Sequence, residues 1–151
     1  MLSSGRYQTA AERFAAEAAA NPRKGAPKVG HSLATALNHD YDSAIASMRR
    51  AFLHDPEGAS QAPENSDLAG KIHELALHYH KMAGKYPKDA DAMFMLAATA
   101  HLIHDHNAAS PAIENVIAAG DSTTAALNLQ KQIKAQAPTR STANPSAAAS
   151  K

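Results

Sequence analysis

A single recurring interval constrains this chain more than any other feature. Tyr41, Ala44, Met48, Asp55 and Pro56 follow Tyr7, Ala10, Phe14, Asn21 and Pro22, like residue after like residue, always at the same distance along the chain. The later set belongs to the stretch Asp40 to Pro56, in which Ala44, Ile45, Met48, Ala51 and Phe52 recur at steps of three and four, the period of one helix face. A chain built this way is predicted to repeat a helical unit, each copy burying its stripe against the next. A third copy starts from Pro87: His106, Ala109, Ile113 and Val116 follow it at the distances at which Tyr41, Ala44, Met48 and Ala51 follow Pro22. His104-Asp105 then occupies the same turn as His39-Asp40.

An aromatic, a small residue, a bulky apolar residue, a second small residue and a closing proline, recurring at the interval from Tyr7 to Tyr41, resemble the tetratricopeptide repeat in its bacterial-type form. This chain departs from the pattern at Glu17, where the later copy has Ala51, and at Met93 and Ala97, where the family has tryptophan and glycine, while Leu96 keeps the family's leucine. The resemblance implies an all-α fold, a right-handed α-α superhelix of stacked helical hairpins over residues 1–136. The first repeat is expected to be incomplete and the third degenerate. Residues 137–151 are rich in Ala, Ser, Pro and Thr, keep no apolar period, and are expected to be a disordered tail.

Leu2 to Tyr7 is expected to end a preceding helix, and the next helix to run from Gln8 to Ala20 with an uncovered side around Ala11, Phe14 and Ala18. A solenoid end normally carries a cap, so either an upstream segment, a partner or end-to-end self-association through this helix covers that side, or the alanine-rich surface stays exposed at little cost. A helix from about Pro27 to Asn38 buries Val29, Leu33, Ala36 and Leu37. In the helix after it, Arg49 and Arg50 are expected to face water. Glu57 to Asn65 reads as a loop. A long helix from Asn65 or Ser66 to Tyr86, with Leu68, Ile72, Leu75, Ala76, Tyr79, Met82 and Tyr86 on one face, leads to helices at Ala90 to His104 and Asn107 to Ala119. Pro111 is placed in the opening turn of the last of these, Gly120 forms a left-handed cap, and a final helix runs to about Ala135.

Composition bears on what such a module can bind. With no cysteine, the chain makes no disulfide, no thiolate metal site and no cysteine nucleophile. The net charge of +1 offers nucleic acid no strong field, and Arg23-Lys24 and Arg49-Arg50 lack a stacking aromatic, so nucleic-acid binding is not expected. No stretch reaches the roughly 20 apolar residues of a membrane span, and the N-terminus lacks a signal-peptide pattern. A cytoplasmic location is the default, the alternative being a fragment of a larger envelope-associated or exported repeat protein. No phosphate-binding glycine loop and no nucleophile elbow occur, and Asp89 and Asp91 sit where a helix start favours acids. The expected function is therefore non-catalytic and without cofactor: a scaffold that binds a peptide or helix of a partner protein.

Tetratricopeptide arrays bind partners on a concave wall of first helices. Carried onto this chain, the resemblance implies Val29 and Leu33 on one such helix and Phe94, Ala98, His101 and Leu102 on another, although neighbouring repeats must pack through these helices too. It implies no carboxylate clamp, because the first helix that would supply the opening Lys and Asn is missing. Histidines supply the one alternative chemistry. His101, His104 and His106 beside Asp105 could offer imidazole ligands to zinc, but no His-Glu-x-x-His pattern accompanies them.

Overall fold

The computed structural model describes residues 3–61 and 66–136. Within them the chain is all-α, in the order α1 (Ser3–Ala20), α2 (Gly25–Leu37), α3 (Tyr41–His54), α4 (Pro56–Ala59), α5 (Ser66–Lys85), α6 (Ala90–Leu102), α7 (His106–Ala118) and α8 (Thr124–Ala135). The expected disordered tail, 137–151, lies outside the described residues. No helix among those described is long and apolar enough to cross a membrane.

Two three-helix units account for most of the packing, and their turns are the same turns. After α2 the His39 amide donates to Ala36 O and the Asp40 amide to Thr35 O; after α6 the His104 amide donates to His101 O and the Asp105 amide to Ala100 O. Both histidines are left-handed, with φ of 65° and 60°. That pair of bonds satisfies carbonyls a helix end would otherwise leave open. The next residue is an aspartate each time, and its carboxylate caps the following helix, Asp40 at the Ser43 amide and Asp105 at the Ala108 amide. A helix stop fused to a helix start leaves no slack, so α2 folds back on α3 and α6 on α7. Upstream, the Lys24 amide donates to Asn21 O in the α1–α2 turn as the Asp89 amide donates to Tyr86 O in the α5–α6 turn. One interval, the distance from His39 to His104, relates the members of every such pair.

The spacing of Tyr7 and Tyr41 does not carry over to equivalent places. Helix α1 runs unbroken through Tyr7, so no helix ends there, and Tyr7 is buried with Ala10, Ala11, Ala34 and Leu68. Tyr41, in contrast, is the first residue of α3, half-buried and stacked on His78. Of the side of α1 expected to be open, Ala18 stays half-exposed, while Ala11 is buried and Phe14 packs half-buried against α2. Gly30 permits that approach, since a Cβ there would stand 2.4 Å from the Phe14 ring.

Helices α2 and α6 are the axes of the two units. Every residue of α6 from Ala92 to Leu102 is buried, as expected of a helix apolar all round. Its Thr99 hydroxyl donates back to Met95 O at 2.7 Å, so no polar group is left open there. Flanking helices α5 and α7 pack on α6 with their backbones held apart from each other, and α1 and α3 flank α2 the same way. Helix α8 then returns across the chain to pack on α3 and α4 as well as α7. Asn128 Nδ2 donates to Phe52 O at 2.9 Å in that contact.

Three local expectations are corrected. Glu57, Gly58 and Ala59 are not loop but α4, one turn started by Asp55, whose carboxylate accepts from the Gly58 amide at 3.1 Å and from the Gly25 amide at 2.8 Å. One carboxylate thus answers the positive ends of two helices, and Gly25 has no room for more, because a Cβ would meet Asp55 O at 2.6 Å. Pro111 is the sixth residue of α7, not in its opening turn, because Asp105 starts the helix at His106. It is solvent-exposed, so the carbonyl it leaves open on Asn107 faces solvent.

Arg49 is the third. It does not face water: its Nη2 donates to Asp91 Oδ1 at 2.8 Å and to Asp121 Oδ2 at 2.6 Å, and its guanidinium lies 4.4 Å from the centre of the Phe94 ring. Helix α3 is thereby tied to the start of α6 and to the α7–α8 connection. Burial would raise the Asp121 carboxyl, but the bonds from Arg49 and Thr123 outweigh it and hold the group below the usual carboxylate range. Asp121 is 11% exposed, so Arg49→Met, which keeps the stem and removes the charge, leaves a nearly buried carboxylate unpaired. We expect it to cost about 2 kcal/mol in urea unfolding, whereas Arg50→Met on the exposed side should be neutral.

Candidate functional site

A helix that is the floor of two walls leaves a groove between them, and the described residues form such a groove over both α6 and α2. The larger, 780 Å³, runs over α6 between α5 and α7. Met93 and Leu96 form its floor, Ala83 and Gly84 one wall, and Ala112, Ala118 and Ala119 the other. Small residues on both walls keep it open, and the floor side chains are one helical turn apart. Its polar rim is His80, Lys88 and Asn115, and no carboxylate lines it.

The second groove runs over α2 between α1 and α3 and is narrower, 190 Å³. Ala15, Ala18, Lys28, His31, Ser47 and Arg50 line it. Each has its counterpart in the lining of the larger groove, in the same order His80, Ala83, Met93, Leu96, Ala112 and Asn115, and the distance along the chain is again that from His39 to His104. The two units therefore present one surface feature twice, with different chemistry. In the first unit the floor is polar: His31 Nδ1 lies 2.6 Å from Ser47 Oγ, bridging α2 and α3 across the groove. Burial, and then Arg50, push the His31 imidazole below its ordinary pKa. Lys28 Nζ is turned back onto the Pro22 and Lys24 carbonyls.

All six residues named for a concave wall lie in the core. Val29, Leu33, Phe94, Ala98, His101 and Leu102 are buried, so no partner reaches them without opening the fold. The physical reason is that α2 and α6 are enclosed by neighbours on every side but the groove. From α6, the residues that reach the groove are Met93 and Leu96, which interleave with the named set in sequence but point to another face of the helix. Sequence alone offers no way to choose among the faces of a helix whose apolar residues run all round.

The histidine cluster resolves into separate roles. His101, His104 and His106 do border one small cavity, of 30 Å³, with Ala109 and Gln136. Among the described residues, no three His, Asp or Glu side chains are arranged to hold a metal ion. His101 is committed elsewhere: its Nε2 is 2.9 Å from Ser60 Oγ, which donates its one proton to Pro56 O at 2.7 Å. Nε2 therefore carries a hydrogen and donates, and burial keeps the imidazole neutral, so His101 is an uncharged strut between α6 and the segment after α4. His104 holds the left-handed turn before α7. Asp89 caps α6 through the Asp91 and Ala92 amides, and Asp91 holds Arg49.

Compared with known proteins, the chain matches no family model, no curated protein and no solved structure.

Proposed function

We propose that this chain is a non-catalytic, tetratricopeptide-like interaction module that seats a helix of a partner protein in the groove over α6. The observation that carries the reading is the recurrence of one groove, Ala18 to Arg50 in the first unit and Ala83 to Asn115 in the second, which marks the surface as a product of the repeat rather than a packing accident. The two equivalent hairpins support a right-handed superhelix of the same kind, with α8 as the helix that closes its end.

The occupant follows from shape and charge. A trough bounded by two helices over a third takes a helix, which sets apolar residues one turn apart into such a groove. Alanine and glycine on the walls allow its backbone to come close, and Met93 offers an adaptable floor. The rim contains His80 and Lys88 and no acid, so a helix with carboxylates along its flanks fits best.

Gly84 makes the test clean. A Cβ there meets nothing within 4 Å, and the position is helical, so Gly84→Arg fills the groove while removing a helix-weakening glycine. Panning a displayed library of helical peptides on the full chain should enrich acid-flanked sequences with an apolar stripe. Gly84→Arg should weaken them about ten-fold or more while the melting temperature holds or rises. Ala19→Arg, the matching place in the first unit, should leave them bound. Enriched peptides that bind Gly84→Arg as well as the parent chain would end the proposal.

A further inference from the structure

The groove over α2 has a chemistry that its counterpart over α6 lacks. Lys28, His31, Ser47 and Arg50 stand where the second unit has Met93, Leu96, Ala112 and Asn115. That unit builds the same three-helix arrangement with apolar or neutral side chains, so the fold itself calls for no charge at these places. The hydrogen bond between His31 and Ser47 ties α2 to α3 and accounts for that pair. It does not account for a lysine and an arginine beside it, in a cavity of 190 Å³ that no carboxylate lines.

Each of these groups keeps bonding capacity to spare. Arg50 forms no hydrogen bond or ion pair among the described residues, so its guanidinium fork is open. Lys28 Nζ leans on the Pro22 and Lys24 carbonyls, which are neutral and do not cancel its charge. The nearby acids are taken: Asp55 answers the Gly25 and Gly58 amides, and Asp40 the Ser43 amide. A neutral imidazole and a hydroxyl bring one proton each to the His31–Ser47 pair. Their bond uses one, and the other, on Nε2 or on Oγ according to the tautomer, is unspent among the described residues. Burial first, and then Arg50, lower both the Lys28 ammonium and the His31 imidazole. Holding such groups together costs free energy that an anion among them returns.

The placement of the donors selects the anion. Lys28 and His31 are one turn apart on α2, and Ser47 and Arg50 one turn apart on α3, so donors reach the cavity from its floor and from one wall. A carboxylate offers two oxygens in one plane, which an arginine alone can satisfy. A phosphate monoester offers three oxygens and nearly twice the charge. The opposite wall, Ala15 and Ala18, is small and apolar and leaves room for the carbon that bears the phosphate.

We propose that the groove over α2 binds a phosphate monoester, held by Lys28, Arg50 and the spare proton of the His31–Ser47 pair, whether the phosphate stands on a partner's serine or on a free small molecule. The site is separate from the groove over α6 and is tested without it.

Titration of the full isotope-labelled chain with sodium phosphate near neutral pH, at ionic strength matched with sodium chloride, reads the His31 ring, the Arg50 side chain and the Ala15 and Ala18 methyl signals directly. Saturable shifts with a roughly millimolar constant are expected. Lys28→Met and Arg50→Met should each weaken phosphate about five-fold or more, with the melting temperature of Arg50→Met unchanged. Arg23→Met removes the same charge from an exposed turn position outside the cavity and should change the constant by less than about two-fold. Acetate should bind about five-fold more weakly than phosphate. A phosphoserine peptide compared with glycerol phosphate separates the sources: tighter binding of the peptide assigns the site to a partner's side chain, and no gain assigns it to a small molecule. Shifts that fail to saturate, that sodium chloride reproduces, that acetate matches, or that keep the same constant in Lys28→Met and Arg50→Met overturn the proposal. So does an equal loss in Arg23→Met.

Discussion

Alanine in place of Phe94 is expected to lower the unfolding free energy by about 3–5 kcal/mol, the cost of emptying a large core site that cannot collapse. The ring is fully buried and meets Phe52 edge-to-face, with centres 6.4 Å apart at 83°. Arg49 lies over its face, so truncation also strips the guanidinium of one support while its two aspartates remain. Urea unfolding should show a lower midpoint with an unchanged slope, since the surface exposed on unfolding hardly changes. Phe94→Leu should recover roughly half of the loss by refilling volume without the ring face. The experiment separates two readings of one residue. A side chain held ready for a partner would cost under about 1 kcal/mol to remove and would act on binding alone; a loss that small would mean that Phe94 is not the packed residue described above.

What could be read in advance follows the range of the interaction. Aspartates at helix starts, Gly120 at a helix end and the stripe of α3 are settled within one or two turns of chain and stand where the spacing put them, as does the stripe of α5 up to Met82, whereas Tyr86 falls past the end of α5 and is exposed. The turns at His39-Asp40 and His104-Asp105 were legible for the same reason. Arg49 was not: its partners lie 42 and 72 residues away, beyond any helical spacing, and a doubled arginine ordinarily reads as a wet face. The return of α8 onto α3, through a bond spanning 76 residues, is equally silent in sequence. The recurrence of the groove hid because its interval is kept by backbone turns, while the groove side chains diverged: Lys28 answers to Met93, and His31 to Leu96. Side-chain likeness pointed instead to Tyr7 and Tyr41, which sit at different depths in helices of 18 and 14 residues.

Acid should begin to destabilise this protein above the pH at which carboxylates titrate, and His101 is the main reason. Its imidazole is pushed down to about 4, by burial first and then by His104 and His106, from an ordinary value of 6.5. The unfolded chain therefore takes up a proton below about pH 6.5 that the folded chain refuses until about pH 4. Stability is lost as pH falls through that window and is fully present above it, a swing of roughly 3 kcal/mol for this one group. Protonation would also put a charge between Phe52 and the Ser60 hydroxyl, where no acid stands to receive it. His31 and His78 are lowered too, by burial first, and add in the same direction. Urea midpoints at pH 7, 5.5 and 4.5 should fall steadily in the parent chain. His101→Gln keeps a donor for Ser60 but cannot titrate, so it should start somewhat less stable at pH 7 and lose about 3 kcal/mol less by pH 4.5. A variant that falls as steeply as the parent would show that His101 folds without refusing its proton, and that the strut between α6 and Ser60 tolerates a charge.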